Sequence, residues 1–134
     1  MDRKRKQLPF RELTGFVLLV ALLLGGLLSS FYLTRHHQAM ADKMDDAGWY
    51  ALSRDWNRAK ETAGEVTAQW QKQKNLCAVF MDHTPMGEID AQLAQLKIYA
   101  AAGEAAEYAA LCGAVSRNLM AMAQAQHLSW QNLL

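Results

Sequence analysis

Residues 15–33 form an apolar run of nineteen positions without a single charged side chain. In an α-helix they rise ~28 Å, about the thickness of the hydrocarbon core of a bilayer. Lipid offers no hydrogen-bond partners, so a backbone that crosses it here has to be helical. The pattern therefore predicts a transmembrane helix over residues 15–33, a tail over residues 1–14, and a separate domain over residues 34–134.

The charges on either side of the apolar run predict its orientation. The tail carries five Lys/Arg against two Asp/Glu, a net +3, whereas residues 34–134 carry nine against eleven, a net −2. Basic residues beside a span stay in the cytoplasm, so we expect a cytoplasmic N-terminus and an extracytoplasmic domain. A cleaved signal peptide is the rival interpretation, because Ala39-Met40-Ala41 has the small-x-small pattern of a cleavage site. The run exceeds the ~7–15 apolar residues usual in signal peptides, which favours a retained signal anchor.

Beyond the run, apolar residues recur at steps of three and four, which is typical of amphipathic helices. One seam continues the membrane helix as far as Ser53-Arg54-Asp55, where Ser53 or Asp55 is expected to cap the next helix. The second seam has the heptad spacing of helices that pack against partner helices. The two seams are Leu33, His37, Met40, Met44, Ala47 and Ala51, then Trp56, Ala59, Ala63, Val66, Trp70, Gln73, Cys77 and Phe80.

Two further helices complete the predicted domain. Thr84 is expected to cap the third helix, with Pro85 at its first position, where no N–H is needed, and Gly103 is expected to end it. The fourth helix is expected to run from Glu104 to about Gln126. Their inward residues are predicted to be Met86, Ile89, Leu93, Leu96 and Ala100, then Tyr108, Cys112, Val115, Leu119 and Met122. Short connections favour antiparallel neighbours. The fold class is therefore all-α: an N-terminal transmembrane helix followed by an antiparallel bundle of three to four helices.

The length of the second helix leaves two alternatives. Continued to Asp82, it would measure ~40 Å, against ~28 Å for the part of the first helix beyond the span. Either the second helix ends early, near residues 73–75, or the bundle leans away from the membrane.

Chemically active residues are scattered along the chain. Asp82-His83 is interpreted as a turn at a helix end, the alternative being a metal or proton site completed by Glu88 or Asp90. His36 and His37 are adjacent and would point in different directions, so we expect them to lie at the membrane interface rather than to chelate an ion. The sequence has no Cys-x-x-Cys motif, no Gly-rich phosphate loop and no Glu-x-x-His pair. We therefore predict no catalytic, metal or cofactor site and no enzyme, and no nucleic-acid partner, because no basic face exists outside the tail.

Cys77 and Cys112 both fall on inward seams. An extracytoplasmic location permits a disulfide between them, and the alternative is two buried thiols that act as small apolar side chains. The sequence leaves both open.

Two tryptophans and the chain end are candidates for partner binding. Trp49 and Trp130 lie off the inward seams, and the terminal segment that contains Leu133 and Leu134 is apolar for a free end. Such residues anchor protein partners. The predicted function is an accessory protein that binds another membrane or envelope protein; the alternative is a ligand-sensing bundle that signals through a membrane partner. Pairs such as Gly25 and Ser29 allow close approach of spans, and the oligomeric state stays open.

The chain resembles a family of short, single-span bacterial proteins described as domain of unknown function 4363. The resemblance covers nearly the whole chain and implies a helical protein anchored in the cytoplasmic membrane of Gram-positive bacteria, with no assigned activity. The residues that carry it, after the N-terminal span, are Asp55-Trp56 with Ala59, Trp70 with Lys72 and Lys74, Asp82-His83, Ile89-Asp90 with Leu93, and the ending Leu128-Ser129-Trp130-Gln131-Asn132-Leu133-Leu134.

Overall fold

The computed structural model describes the backbone of residues 10–77 and 83–131, and the side chains of residues 12–75 and 85–125. The described backbone forms four helices and no strand, which confirms the predicted fold class. The helices are α1 (Phe10–Leu52), α2 (Trp56–Cys77), α3 (His83–Ala102) and α4 (Ala105–Gln131). The chain divides into two compact units, Met1–Leu33 and Thr34–Leu134, with the division inside α1.

In the first unit, the apolar side chains of α1 are exposed. They include Phe16, Leu22, Leu28 and Phe31, each more than half exposed. The segment Glu12–Leu52 contains a stretch long and apolar enough to cross a membrane, and none of that stretch is buried in the protein. The N-terminal half of α1 is therefore a candidate span by length and composition.

The turn from α1 to α2 is a helix stop followed directly by a helix start. The N–H of Asp55 bonds the carbonyl of Tyr50 at 2.9 Å and the N–H of Arg54 bonds that of Ala51 at 3.0 Å, the paired closure of a Schellman motif. Arg54 takes the left-handed conformation that this motif requires, with φ 64°. The carboxylate of Asp55 then accepts the backbone N–H of Arg58 at 3.2 Å. Of the two capping candidates, Asp55 is the residue that caps α2.

The helix boundaries near the second connection differ from the prediction. Helix α2 continues to Cys77, past the early end considered near residues 73–75, and Phe80 and Asp82 lie outside the described residues. Helix α3 begins at His83, so Thr84 is its second residue and not its cap. Pro85 still lies in the first turn, where a backbone N–H has no helical partner.

The second unit is a four-helix bundle with one shared core. Every residue predicted to point inward on α3 and α4 is buried except Ala100, which is partly exposed. The core also takes in alanines of α1 and α2, which keeps the helices close. Its described members are Met40, Ala41, Met44, Ala47, Ala51, Ala59, Ala63, Val66, Trp70, Met86, Ile89, Leu93, Leu96, Tyr108, Cys112, Val115, Leu119, Met122 and Ala123.

Polar contacts fix the register of neighbouring helices. Lys43 of α1 pairs with Glu65 of α2 at 2.7 Å, and nearer the turn Arg58 lies over the ring of Tyr50 at 5.7 Å, so α1 and α2 are antiparallel. The amide of Asn118 on α4 donates to that of Gln92 on α3 at 3.0 Å.

Helices α2 and α4 run in parallel across the core. The hydroxyl of Tyr108 donates to the carbonyl of Ala59 at 3.2 Å, and the rings of Trp56 and Tyr108 meet edge to face at 5.4 Å. This contact sets Tyr108 level with the first turn of α2.

Helices α1 and α4 touch at a glycine. A Cβ added to Gly48 would lie 3.3 Å from the Cβ of Cys112 and 3.4 Å from the backbone of Ala109. The missing side chain therefore lets the two backbones approach closely.

Candidate functional site

The densest polar cluster of the described bundle surrounds Asp90 of α3. One carboxylate oxygen accepts the indole N–H of Trp70 at 2.8 Å and the amide of Gln71 at 3.4 Å. The other oxygen pairs with the ammonium group of Lys74. Lys74 follows Trp70 and Gln71 by one turn on the same side of α2. A single carboxylate of α3 therefore holds one full turn of α2.

The surroundings of Asp90 favour its ionised form. Burial raises the pKa of the carboxyl group, but hydrogen bonds from Lys74 and Trp70, the charge of Lys74 and the hydrogen bond from Gln71 outweigh burial and hold the pKa below its ordinary value. The side chain of Lys74 is 37% exposed, so solvent screens part of its attraction to Asp90. The cluster is built to hold two helices together.

The metal-site alternative for Asp82-His83 depended on Glu88 or Asp90. Asp82 and the side chain of His83 lie outside the described residues, and the oxygens of Asp90 are occupied by α2. Within the described residues, no three His, Cys, Asp or Glu side chains are grouped so as to hold a metal ion. The structure therefore places neither Asp90 nor the exposed Glu88 in a metal site.

The two neighbouring histidines point in different directions, as their spacing predicts. His37 is fully buried in the bundle, whereas His36 is partly exposed. The inward position of His37 agrees with its place on the first seam. An interfacial position for the pair stays a prediction.

Cys112 is a buried free thiol that faces α1. Burial, with a smaller contribution from the charge of Asp45, raises the pKa of its thiol to about 12. A thiol with such a pKa stays protonated at neutral pH and reacts slowly with electrophiles. Burial also raises the pKa of Tyr108, one turn earlier on the same seam.

The register of the bundle argues against a disulfide between Cys77 and Cys112 within one chain. Tyr108 is level with Ala59, so Cys112, one turn later, is level with the neighbourhood of Ala63. Cys77 lies fourteen residues beyond Ala63, or ~21 Å along α2. The side chain of Cys77 is outside the described residues, so the pairing remains a prediction that this register disfavours.

Trp49 is the most exposed large aromatic residue of the described bundle, at 67% exposure. Asp42, Asp45 and Asp46, on the same face of α1, are exposed as well. Trp70 is buried and Trp56 packs on Tyr108, as their periodicity predicts.

The other three residues predicted to bind a partner fall outside this description. They are Leu133, Leu134 and the side chain of Trp130.

Sequence reasoning missed two features of this bundle. The first is the cluster around Asp90, although Lys74 and Asp90 lie eight residues on either side of Asp82 and would meet in a helical hairpin that turns there. The second is the close approach at Gly48, for which no signal exists beyond a lone glycine on a helix.

Comparison with known proteins identifies a family. The family model described as Domain of unknown function (DUF4363) matches residues 27–133, and the chain belongs to this family. The family that the sequence resembles is thereby confirmed. No significant match was found among curated proteins or among solved structures. The family description names no activity, so the function has to be argued from the fold and its surface.

Proposed function

We propose that the chain is a single-span, membrane-anchored accessory protein whose helical bundle lies outside the cytoplasm and binds another membrane or envelope protein. The observation that carries this proposal is the contrast within α1. Residues 15–33 of α1 expose an uncharged apolar surface, whereas the C-terminal half of α1 buries apolar residues in the bundle.

The exposed apolar surface supports the anchor. A water-soluble protein does not expose a continuous apolar helix surface of this length to water. A bilayer covers such a surface, and the helix satisfies its own backbone hydrogen bonds there. The basic tail and the net negative charge of residues 34–134 support the orientation.

The bundle surface supports the binding role. Trp49 is two-thirds exposed on a well-packed helix, and tryptophan is the residue type most enriched at the energetic centres of protein interfaces. The apolar chain end, with Trp130, Leu133 and Leu134, offers a second candidate contact.

Topology is tested on the full-length protein in its native membrane. One version carries an N-terminal tag and another a C-terminal tag, and intact cells are treated with a protease that does not cross the membrane. We expect loss of the C-terminal tag and protection of the N-terminal tag. Protection of both tags, or release of the bundle into the medium, would contradict the anchored orientation.

Partner binding is tested by brief cross-linking, detergent solubilisation and purification of the tagged chain, with mass spectrometry of the co-purified proteins. We expect a membrane or envelope protein in stoichiometric amount. A variant without residues 130–134 is expected to lose it while its circular dichroism and thermal unfolding stay unchanged. Unchanged co-purification would remove the chain end from the binding site, and a clean preparation without any companion would refute the accessory role.

A ligand-sensing bundle is the second candidate, and one observation favours it. The side-chain oxygen of Gln73, on the inward seam of α2, is buried and accepts no hydrogen bond from any described residue. A buried acceptor left without a donor is costly, and a small polar ligand with an N–H or O–H group would satisfy it. Thermal unfolding of the full chain in detergent, screened against polar metabolites, tests this role. A stabilised wild type together with an unresponsive Gln73→Leu variant is the expected result for a sensor, and no stabilising compound would count against it.

We assign no catalytic residue and no cofactor. That the protein is not an enzyme stays a prediction from the sequence, as does the absence of a nucleic-acid partner.

A further inference from the structure

The outward face of α1 combines an exposed tryptophan with three exposed carboxylates that take part in none of the ion pairs of the described residues. Asp42, Asp45, Asp46 and Trp49 follow the spacing i, i+3, i+4 and i+7, which places them on one side of the helix. All four are exposed. We refer to these four residues as the α1 face.

The three carboxylates have no cation in the described protein. The ion pairs of the described residues join Lys43 to Glu65, Arg58 to Asp55 and Lys74 to Asp90, and none includes a carboxylate of the α1 face. Lys43, the cation nearest in sequence, is turned away from the face towards α2.

The composition of the α1 face works against helix stability. Aspartate is a poor helix former, and Asp42 lies at the repulsive i,i+3 and i,i+4 spacings from Asp45 and Asp46. Trp49 exposes two thirds of its surface, 67%, to solvent. Residues that oppose the local fold in this way are expected where a surface serves binding.

The chemistry of the face specifies its occupant. Asp45 and Asp46 lie within one turn of Trp49, so an arginine stacked on the indole would be within reach of a carboxylate. Neighbouring basic residues would offset the remaining negative charge. An anionic bilayer surface would be repelled by three carboxylates, and a purely apolar partner would leave them desolvated without a counter-charge.

We propose that the α1 face binds a basic segment of the partner protein, with an arginine of that segment stacked on Trp49 and paired with the neighbouring aspartates. This inference rests on the proposed accessory function and names the chemistry of the partner.

The test uses the full-length chain, cross-linked and purified from its native membranes with its partner. Two variants disable the face: Trp49→Ala, and the triple replacement Asp42→Asn, Asp45→Asn and Asp46→Asn. Two controls match them elsewhere on the bundle: Ile98→Ala, which removes an apolar side chain of 66% exposure, and the triple replacement Glu61→Gln, Glu104→Gln and Glu107→Gln, which removes three exposed carboxylates.

We expect each face variant to reduce the recovered partner at least about tenfold, as loss of an interface centre does. Both controls are expected to recover wild-type amounts. Raising the salt from ~0.05 M to ~0.5 M should weaken the wild-type complex severalfold, because the contact is an exposed charge pairing.

A photo-reactive residue identifies the occupant directly. Leu52→p-benzoylphenylalanine lies one turn from Trp49 at an exposed position and leaves the four residues of the face intact. We expect a cross-link to a partner peptide that contains arginine, lost in the triple asparagine background. A cross-link to lipid, to a second copy of this chain or to a peptide without a basic residue would overturn the proposal.

The outcomes separate the two levels of inference. If wild type brings down no partner, the accessory function itself fails. If wild type and both face variants bring down the same partner equally, the accessory function stands and the α1 face is not its binding site.

Discussion

The carboxylate of Asp90 is the strongest described polar link between α2 and α3, and its removal should lower the free energy of unfolding of the whole bundle. Asp90→Ala leaves the indole N–H of the buried Trp70 without an acceptor. A buried donor that loses its only partner costs about 1–3 kcal/mol. The ion pair with Lys74 is partly exposed on both sides and adds at most about 1 kcal/mol.

These contributions predict a loss of about 2–3 kcal/mol in the free energy of unfolding for Asp90→Ala. For a domain of this size, 1 kcal/mol lowers Tm by roughly 4–8 °C, so Tm should fall by roughly 8–24 °C. Asp90→Asn keeps an oxygen for the indole N–H and should lose only about 1 kcal/mol. Lys74→Met removes the ion pair alone and should lose less than about 1 kcal/mol.

The assay is thermal unfolding of the full chain in detergent, followed by far-ultraviolet circular dichroism. The ranking Asp90→Ala, then Asp90→Asn, then Lys74→Met is the diagnostic result. If Lys74→Met were as damaging as Asp90→Ala, the ion pair and not the indole hydrogen bond would dominate. A cost below about 0.5 kcal/mol for Asp90→Ala would refute the reasoning, because the indole would then have found another acceptor.

Three further predictions follow from the described contacts. The folded protein holds the pKa of Asp90 below its ordinary value of 3.8. The stabilisation of the bundle by ionised Asp90 is therefore present above that value and is lost as the pH falls through the folded pKa. The Tm difference between wild type and Asp90→Asn should shrink between pH 6 and pH 3. Gly103 closes the α3–α4 turn at φ 73°, and Arg54 closes the α1–α2 turn at φ 64°. In thermal unfolding, Gly103→Ala should lower the free energy of unfolding by about 1 kcal/mol and Arg54→Gly should raise it by a similar amount. Changes of the same sign in the two variants would contradict the argument from left-handed strain. Gly48→Val should lower the free energy of unfolding by about 1–3 kcal/mol, because the new side chain meets Cys112 and Ala109. Gly64→Val, where the added side chain has open space, should change Tm little. Equal costs would show that helix propensity and not the contact with α4 decides the effect.

The hydrophobic pattern was sufficient to predict the helices and their inward faces. Apolar spacing alone placed Ile89, Leu93, Val115 and Leu119 in the core, because a helix in water can bury only one stripe. The sequence narrowed the cap of α2 to Ser53 or Asp55, and the structure shows that Asp55 is the residue that accepts the backbone N–H of Arg58. The start of α3 was misplaced by two residues, because the first turn of a helix tolerates Pro85 at more than one position.

The contacts that make the bundle specific were not predictable in the same way. A period of 3.6 residues says which face a side chain occupies but not which residue of a neighbouring helix stands opposite. The network of Trp70, Lys74 and Asp90 depends on the register of α2 against α3, which a shift of one turn would destroy. The same limit applies to Gly48, whose role exists only through the backbone of α4 on the other side.

The α1 face illustrates where folding and function separate in this chain. The apolar core residues of the described bundle are buried, and Asp90 joins two helices through Trp70 and Lys74. Asp42, Asp45, Asp46 and Trp49 are exposed and take part in none of the ion pairs of the described residues, and the three aspartates are unfavourable in a helix. In a protein whose stability is a small difference between large contributions, such residues cost something in every folded molecule. The simplest physical reason for keeping them together on one exposed face is a bound partner that supplies the missing positive charge, which is why Trp49 and its three aspartates are the first positions to vary.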